Sequence, residues 1–130
     1  MIASNFNEIL EKLDFTDSII TEIRWENNLL DLVLVVDYYW DIQEGKEKTR
    51  MLKIIFKSCL KADFQMTHNL VEIPDKEIQS HFLSWYTIIG FRKADSNYKN
   101  SICVKIFTTD YSNPWLTVVS KSVKVEEIEY

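Results

Sequence analysis

The sequence predicts a mainly β protein: an antiparallel sandwich or strongly curved sheet with a short N-terminal helix packed on it, with α+β as the alternative. Segment 29–41 alternates with a period of two, and its even positions are all apolar or aromatic: Leu30, Leu32, Leu34, Val36, Tyr38 and Trp40. Period-two alternation is typical of a strand. Similar short segments recur about every ten residues between turn residues, which is typical of antiparallel β proteins.

The first element is the predicted helix. Ser4 is expected to cap it, because a side-chain oxygen at that position can accept a free backbone N–H of the first turn. Phe6, Ile9, Leu10 and Leu13 then lie on one helix face.

The odd positions of 29–41 are apolar in the middle and acidic at the ends. This second face therefore needs partial cover, and the helix is the expected cover.

The other strands follow from the same alternation. A strand over 18–25 is expected to turn at Glu26-Asn27-Asn28 into 29–41, because Asn tolerates positive φ. Segment 59–71 is ambiguous and resembles one irregular strand, and 74–78 resembles a helical turn. A bulge or break is expected at 120–122. Further strands are predicted over 50–57, 85–92, 102–109 and 116–128, which gives about seven in all.

Length and composition indicate one domain over 1–130, since 130 residues is the usual size of a single core. The N-terminus lacks the basic and apolar regions of a secretory signal. The apolar runs fall far short of the roughly 20 residues that cross a bilayer. Cys59 and Cys103 are expected to be free, buried thiols. These features predict a cytoplasmic protein that does not bind membranes.

The net charge of −5 disfavours nucleic-acid binding, because an acidic protein repels phosphate backbones. The lysines are scattered and form no basic stripe. A basic protein is the partner that fits this charge best.

Glycine-dependent phosphate sites are excluded in their standard forms. The only glycines are Gly45 and Gly90, so the chain has no dinucleotide-binding fingerprint, no P-loop and no nucleophile elbow. No cofactor is predicted.

The two histidines also lack a metal-binding spacing. A site that combines His68, Asp75, Glu77 and His81 is conceivable, but solvent-facing or hydrogen-bonded histidines are the ordinary interpretation. A cysteine nucleophile lacks support, because an apolar strand raises the cost of forming a thiolate. No catalytic or metal-binding residue is predicted, and the balance favours a protein that is not an enzyme.

The segment Asp37-Tyr38-Tyr39-Trp40-Asp41 is the candidate partner-binding site. Rigid aromatic side chains flanked by polar groups are enriched at interface hot spots. On a straight strand Asp37 and Asp41 lie about 13 Å apart on one face. They are therefore expected to form a solvated edge and to bind a partner together with Tyr39. In the alternative interpretation Tyr38 and Trp40 continue the buried stripe and Tyr39 alone is exposed.

The segment Phe15-Thr16-Asp17-Ser18, followed by Ile19-Ile20 and a first hairpin, resembles small bacterial β-rich proteins that open with an F-x-D-S motif. Many of these are uncharacterised, and some resemble immunity proteins that neutralise a toxin from the same locus. In many of them a His precedes the Asp, whereas this chain has Thr16, so no role tied to that His carries over. The resemblance covers the first third of the chain and assigns no site residue.

These observations predict a non-catalytic protein-binding domain, and the resemblance implies an immunity or antitoxin-like inhibitor of a basic partner. The alternative is a small ligand-binding or hydrolytic β-sandwich of unknown substrate. A third interpretation is self-association through an exposed strand such as 116–128, so both a monomer and a homodimer stay open.

Overall fold

Antiparallel strands form one curved sheet in the computed structural model, which describes residues 1–65 and 85–128. The strands are β1 (Ile19–Glu26), β2 (Asp31–Asp37), β3 (Met51–Phe64), β4 (Gly90–Ala94), β5 (Ile102–Phe107) and β6 (Leu116–Glu127). Their order in the sheet is β1-β2-β3-β6-β5-β4, and each neighbouring pair is antiparallel. The helices are α1 (Phe6–Lys12) and the short α2 (Trp40–Gln43). The predicted mainly β fold with a short N-terminal helix is confirmed.

The two edges of the sheet meet at one end. Ile19 at the start of β1 forms an antiparallel bridge with Thr87, which precedes β4. The Ile88 N–H donates to the Ser18 carbonyl, and the Asp17 N–H donates to the Ile88 carbonyl, both at 2.8 Å. The sheet is therefore strongly curved. Of the two architectures that the sequence predicts, a sandwich or a strongly curved sheet, this is the second.

The main core fills the concave side of this sheet. The even positions of β2 lie there together with the apolar face of α1 and Phe56 of β3. The N-cap of α1 is Asn5 and not Ser4: the Asn5 side chain accepts the Glu8 N–H at 2.9 Å, whereas Ser4 bonds to the Glu8 carboxylate. Leu10, predicted on the buried face, is 57% exposed.

The prediction that α1 covers the second face of β2 is wrong, because α1 packs on the concave side. Three apolar side chains are nevertheless buried on the convex side: Val33, Val35 and Ile55. Charged side chains surround them, and Lys53 lies 3.7 Å from Glu26 and 3.9 Å from Glu126, which also pairs with Lys124. The aliphatic parts of such side chains can cover apolar surface while their charges stay in water.

The irregular segment after residue 57 belongs to β3. Ser58 has a φ of 50°, and the register with β6 shifts between Cys59 and Lys61. The bulge predicted at 120–122 is therefore on the opposite strand, and β6 runs unbroken. β6 also lies between β3 and β5, so the prediction of 116–128 as an exposed, self-associating strand is wrong.

A further difference concerns the start of a predicted strand. Segment 85–92 begins with a helical pair, Trp85 and Tyr86, and the strand starts only at Gly90. The helical turn predicted at 74–78 and the end of segment 59–71 lie outside the described residues.

Both cysteines are free: Cys103 is buried, whereas Cys59 is partly exposed. Among the described residues, no helix is long and apolar enough to cross a membrane.

The predicted turn between β1 and β2 contains three consecutive residues with positive φ: Asn27 (55°), Asn28 (57°) and Leu29 (69°). Asn adopts this conformation readily, but a bulky side chain does so at a cost. Leu29 is 73% exposed and gains little from packing. Replacing Leu29 with glycine is therefore expected to raise the free energy of unfolding by about 0.5–1 kcal/mol.

Urea denaturation of the Leu29→Gly variant checks this expectation. Glycine at the neighbouring Leu30, which has no positive φ, provides the control and is expected to destabilise the protein. Equal losses at both positions would contradict the account of strain at Leu29.

Candidate functional site

The strand predicted over 29–41 ends at Asp37, and α2 follows it. Tyr38 lies at the junction with its ring in the core, 2% exposed, and its hydroxyl accepts the Asp14 N–H at 2.9 Å. Burial raises the pKa of Tyr38, and the nearby carboxylates of Glu44 and Asp14 act in the same direction. The hydroxyl thus holds the loop after α1 against the start of α2.

Asp41 is fully buried, and its carboxylate is enclosed by basic donors. Oδ2 accepts the Arg50 backbone N–H at 2.7 Å and the Arg50 Nε–H at 3.0 Å. Oδ1 accepts Arg50 Nη2 at 3.0 Å and Lys46 Nζ at 3.1 Å. Burial alone raises the pKa of Asp41, but the hydrogen bonds from Arg50 and Lys46 outweigh it, and the pKa lies below its ordinary value. Asp41 therefore anchors the loop after α2.

This placement corrects the prediction that Asp37 and Asp41 share a solvated strand face. Asp37 ends β2, where it lies opposite Ile19 and Met51, and is partly buried. Its Oδ1 atom is buried and has no hydrogen-bond partner among the residues that the structure describes. Asp41 belongs to a helical turn, and no part of its side chain reaches the surface. Of the three predicted partner-binding residues, Tyr39 alone is exposed.

Tyr39 and Trp40 form an aromatic pair on the protein surface. Their ring centroids lie 6.2 Å apart in an edge-to-face arrangement, and Tyr39 is 37% exposed. The Tyr39 N–H donates to Ser18 Oγ at 3.0 Å, and the Tyr39 hydroxyl accepts Gln43 Nε2 at 2.7 Å. The Trp40 indole N–H donates to the Thr16 carbonyl at 3.0 Å. Both rings are therefore held in place by hydrogen bonds.

Three exposed acidic residues belong to the segments that contact this pair. Asp14 and Asp17 belong to the loop that contacts Trp40 through Thr16, and the Glu44 N–H donates to the Trp40 carbonyl at 2.9 Å. None of the three forms an ion pair with another described residue. We call this set the acidic aromatic surface: Asp14, Asp17, Tyr39, Trp40 and Glu44.

Sequence reasoning missed most of this surface because it combines two segments more than 20 positions apart. The F-x-D-S motif at 15–18 was the available signal: its backbone and Ser18 hydroxyl hold Tyr39 and Trp40. Its position beside residues 39–44 depends on the pairing of β1 with β2.

An apolar groove lies elsewhere, between β1 and the segments that flank it across the seam of the curved sheet. Its volume is about 330 Å³, and it is lined by Ile20, Thr21, Glu22, Ile23, Phe64, Tyr86 and Trp115. Phe64 and Tyr86 both pack edge-to-face on the buried Trp115, with centroid distances of 5.4 and 5.8 Å. A preformed apolar concavity of this kind can take an apolar side chain or a small ligand.

The conceivable metal site of His68, Asp75, Glu77 and His81 lies outside the described residues. Within 1–65 and 85–128, no group of three or more His, Cys, Asp or Glu side chains could hold a metal ion. Burial raises the pKa of the Cys59 thiol, which makes the reactive thiolate harder to form.

Comparison with known proteins adds a fold relative. No family model matches the chain, and no curated protein matches it. Among solved structures, the chain is similar to an uncharacterized protein from Neisseria gonorrhoeae with a TM-score of 0.58 and 15% sequence identity. The match covers 88% of this chain and 95% of that chain. At this identity the similarity shows a shared fold alone.

Proposed function

We propose that this chain is a non-catalytic protein-binding domain that recognises a basic protein partner through its acidic aromatic surface. The observation that carries the proposal is the exposed Tyr39, which hydrogen bonds hold beside Trp40, together with three exposed acidic residues on the segments that contact this pair. In its more specific form the domain is an immunity or antitoxin-like inhibitor, in agreement with the resemblance of segment 15–18 to such proteins.

In this arrangement the aromatic rings provide contact area, and the charges attract and orient the partner. A ring that is already ordered loses little conformational entropy on binding and can bury a large contact area. The carboxylates of Asp14, Asp17 and Glu44 attract a basic surface and orient it during approach. Because these acids have no basic partner among the described residues, their charge is available to an incoming protein.

A small apolar ligand in the groove beside β1 is the second candidate function. The mainly apolar lining and the volume of about 330 Å³ favour it. Hydrolysis needs a nucleophile or an acid–base pair. Glu22 is the acidic group of the described lining, and it lies 3.4 Å from Arg24 in an ion pair. The groove therefore supports binding and offers no argument for hydrolysis.

Replacing Tyr39 with alanine is expected to weaken binding to the basic partner about 30-fold, the loss typical of an interface hot spot of about 2 kcal/mol. The partner to test is the product of the neighbouring gene, with affinity measured by calorimetry across a salt series. Binding is expected to weaken as salt rises, because salt screens exposed charges.

The matched control is Tyr98→Ala, which removes a 52% exposed tyrosine outside the acidic aromatic surface and is expected to leave the affinity unchanged. Absence of binding at low salt would refute the assignment of this partner. Binding that depends neither on salt nor on Tyr39 would refute the role of the surface.

A further inference from the structure

Among the described residues, β1 is paired along its length on one side only. That side pairs with β2, and the other side forms one antiparallel bridge, between Ile19 and Thr87. From Thr21 to Glu26 the outer backbone groups face no other described strand. Such an edge is a template for another strand, because its N–H and C=O groups are already spaced for a ladder.

The side chains of β1 divide by chemistry between the two faces of the sheet. Ile23 and Trp25 lie opposite Leu34 and Leu32 on the concave face, yet they are 41% and 42% exposed. The residues between and beside them carry charge and lie on the convex face: Glu22, Arg24 and Glu26. A second strand added here meets an apolar row on one face and an alternating row of charges on the other.

We propose that two copies of this chain pair through their β1 edges, antiparallel and about a two-fold axis at Ile23. In this register Glu22 of each copy lies opposite Arg24 of the other, and Ile23 lies opposite its own equivalent. Opposite charges that face each other across two strands stabilise the pair, whereas like charges destabilise it. A two-fold axis repeats each of these contacts.

Neighbouring registers are less suitable. An axis at Arg24 places Arg24 opposite its own equivalent and Glu22 opposite Glu26, so every charged contact is repulsive. An axis at Trp25 restores opposite charges but extends the pairing to Asn27, whose φ of 55° lies outside the strand region. The axis at Ile23 keeps the paired segment, 21–25, within β1, with Thr21 at the bulge where the register with β2 shifts.

The same register gives Trp25 a binding place. It puts the second copy's Trp25 opposite Thr21, which lines the apolar groove together with Ile20 and Ile23. Trp25 lies on the concave face, and the groove lining includes Ile20 and Trp115 of the core on that face. Each copy therefore inserts one indole into the groove of the other, and the half-exposed Ile23 side chains are buried at the axis.

The dimer is expected to be weak, because five paired residues and one indole from each copy form a small interface. The charged contacts set the register more than the affinity, since exposed ion pairs contribute little. The acidic aromatic surface contributes no residue to this interface. Failure of either proposal therefore leaves the other intact.

Sedimentation velocity of the whole chain, from about 10 to about 500 µM, tests this proposal in the concentration range of weak interfaces. The wild type is expected to pass from monomer to dimer. Arg24→Glu and Glu22→Arg each place like charges opposite each other in the proposed register, and each is expected to weaken the dimer about ten-fold. Trp25→Ala is expected to weaken it as well, because the groove then stays empty.

Mixing gives the decisive result. The Arg24→Glu variant has acidic residues at both paired positions, 22 and 24, and the Glu22→Arg variant has basic residues at both. An equimolar mixture is therefore expected to form a heterodimer, whereas each variant alone dimerises weakly. Lys99→Glu controls for net charge on an exposed loop, and circular dichroism checks that each variant is folded. A wild type that stays monomeric at the highest concentration, or a dimer that Arg24→Glu leaves unchanged, would overturn the proposal.

Discussion

Replacement of Asp41 with alanine is expected to lower the free energy of unfolding by about 3 kcal/mol. The substitution leaves the Arg50 guanidinium and backbone N–H without the acceptor that holds them at 2.7–3.2 Å. Removing one partner of a buried ion pair lowers the free energy of unfolding by more than the intact pair contributes to it. The reason is that the remaining partner stays desolvated without its counter-charge. Arg50 is still 29% exposed at its side chain, so water offsets part of that cost.

The measurement is urea denaturation at neutral pH, with Glu44→Ala as the control. Glu44 is the residue after α2, three positions beyond Asp41, but it is exposed and forms no ion pair within the described chain. Its loss is expected to change stability by less than about 0.5 kcal/mol. Equal stability of Asp41→Ala and the wild type would show that the loop does not depend on this carboxylate.

The same variant is expected to change the response to acid. The pKa of Asp41 is lower in the folded protein than its ordinary value, so its contribution is complete above the unfolded pKa of about 3.9 and is lost as the pH falls through the folded pKa. The wild type therefore loses stability below about pH 4. Asp41→Ala is expected to lose less over that range. Some dependence of stability on pH remains in this variant because of Asp31, whose pKa is lowered by hydrogen bonds from Lys57 and Ser58 that outweigh the effect of its burial.

Phe56→Ala is expected to cost about 4 kcal/mol of unfolding free energy, as a large cavity in a packed core does. Phe56 is fully buried in β3, where it lies between Leu32 of β2 and Val123 of β6, both also fully buried. The surrounding strands are paired on both sides and cannot collapse into the space.

Phe64→Ala is the matched control, because it makes the same change in the same strand. Phe64 is 41% exposed and packs on Trp115 on one side, so its loss is expected to cost about 1 kcal/mol. Thermal denaturation of both variants checks the difference. A similar loss at the two positions would contradict the full burial of Phe56 between β2 and β6.

Alternation of apolar residues predicted the strands of the sheet well. The even positions from Leu32 to Tyr38 are all buried, as the period-two pattern indicates, and the odd positions from Asp31 to Val35 are buried as well. The pattern did not locate the end of β2, because Tyr38 and Trp40 continue it in apolar character although α2 begins at Trp40. The apolar pattern continues into a helical turn here, and periodicity cannot show that change over so few residues.

The candidate site was harder to predict for a different reason. Local sequence suggested that Asp37 and Asp41 flank Tyr39 on a strand, but Asp41 is enclosed by Arg50 and Lys46, which come after it in the chain. The exposed acids near Tyr39 include Asp14 and Asp17, which come well before it. Which carboxylates are buried with a basic partner, and which stay exposed, depends on tertiary contacts that one sequence does not display.

The central claim is that a basic partner binds the acidic aromatic surface while Asp41 remains buried beneath it. Hydrogen exchange of the protein with and without the neighbouring gene product tests this most directly, because bound surfaces slow the exchange of their amides. Protection on binding is expected at residues 14–17 and 39–44. Protection confined to other parts of the chain, with those two segments unchanged, would contradict the claim.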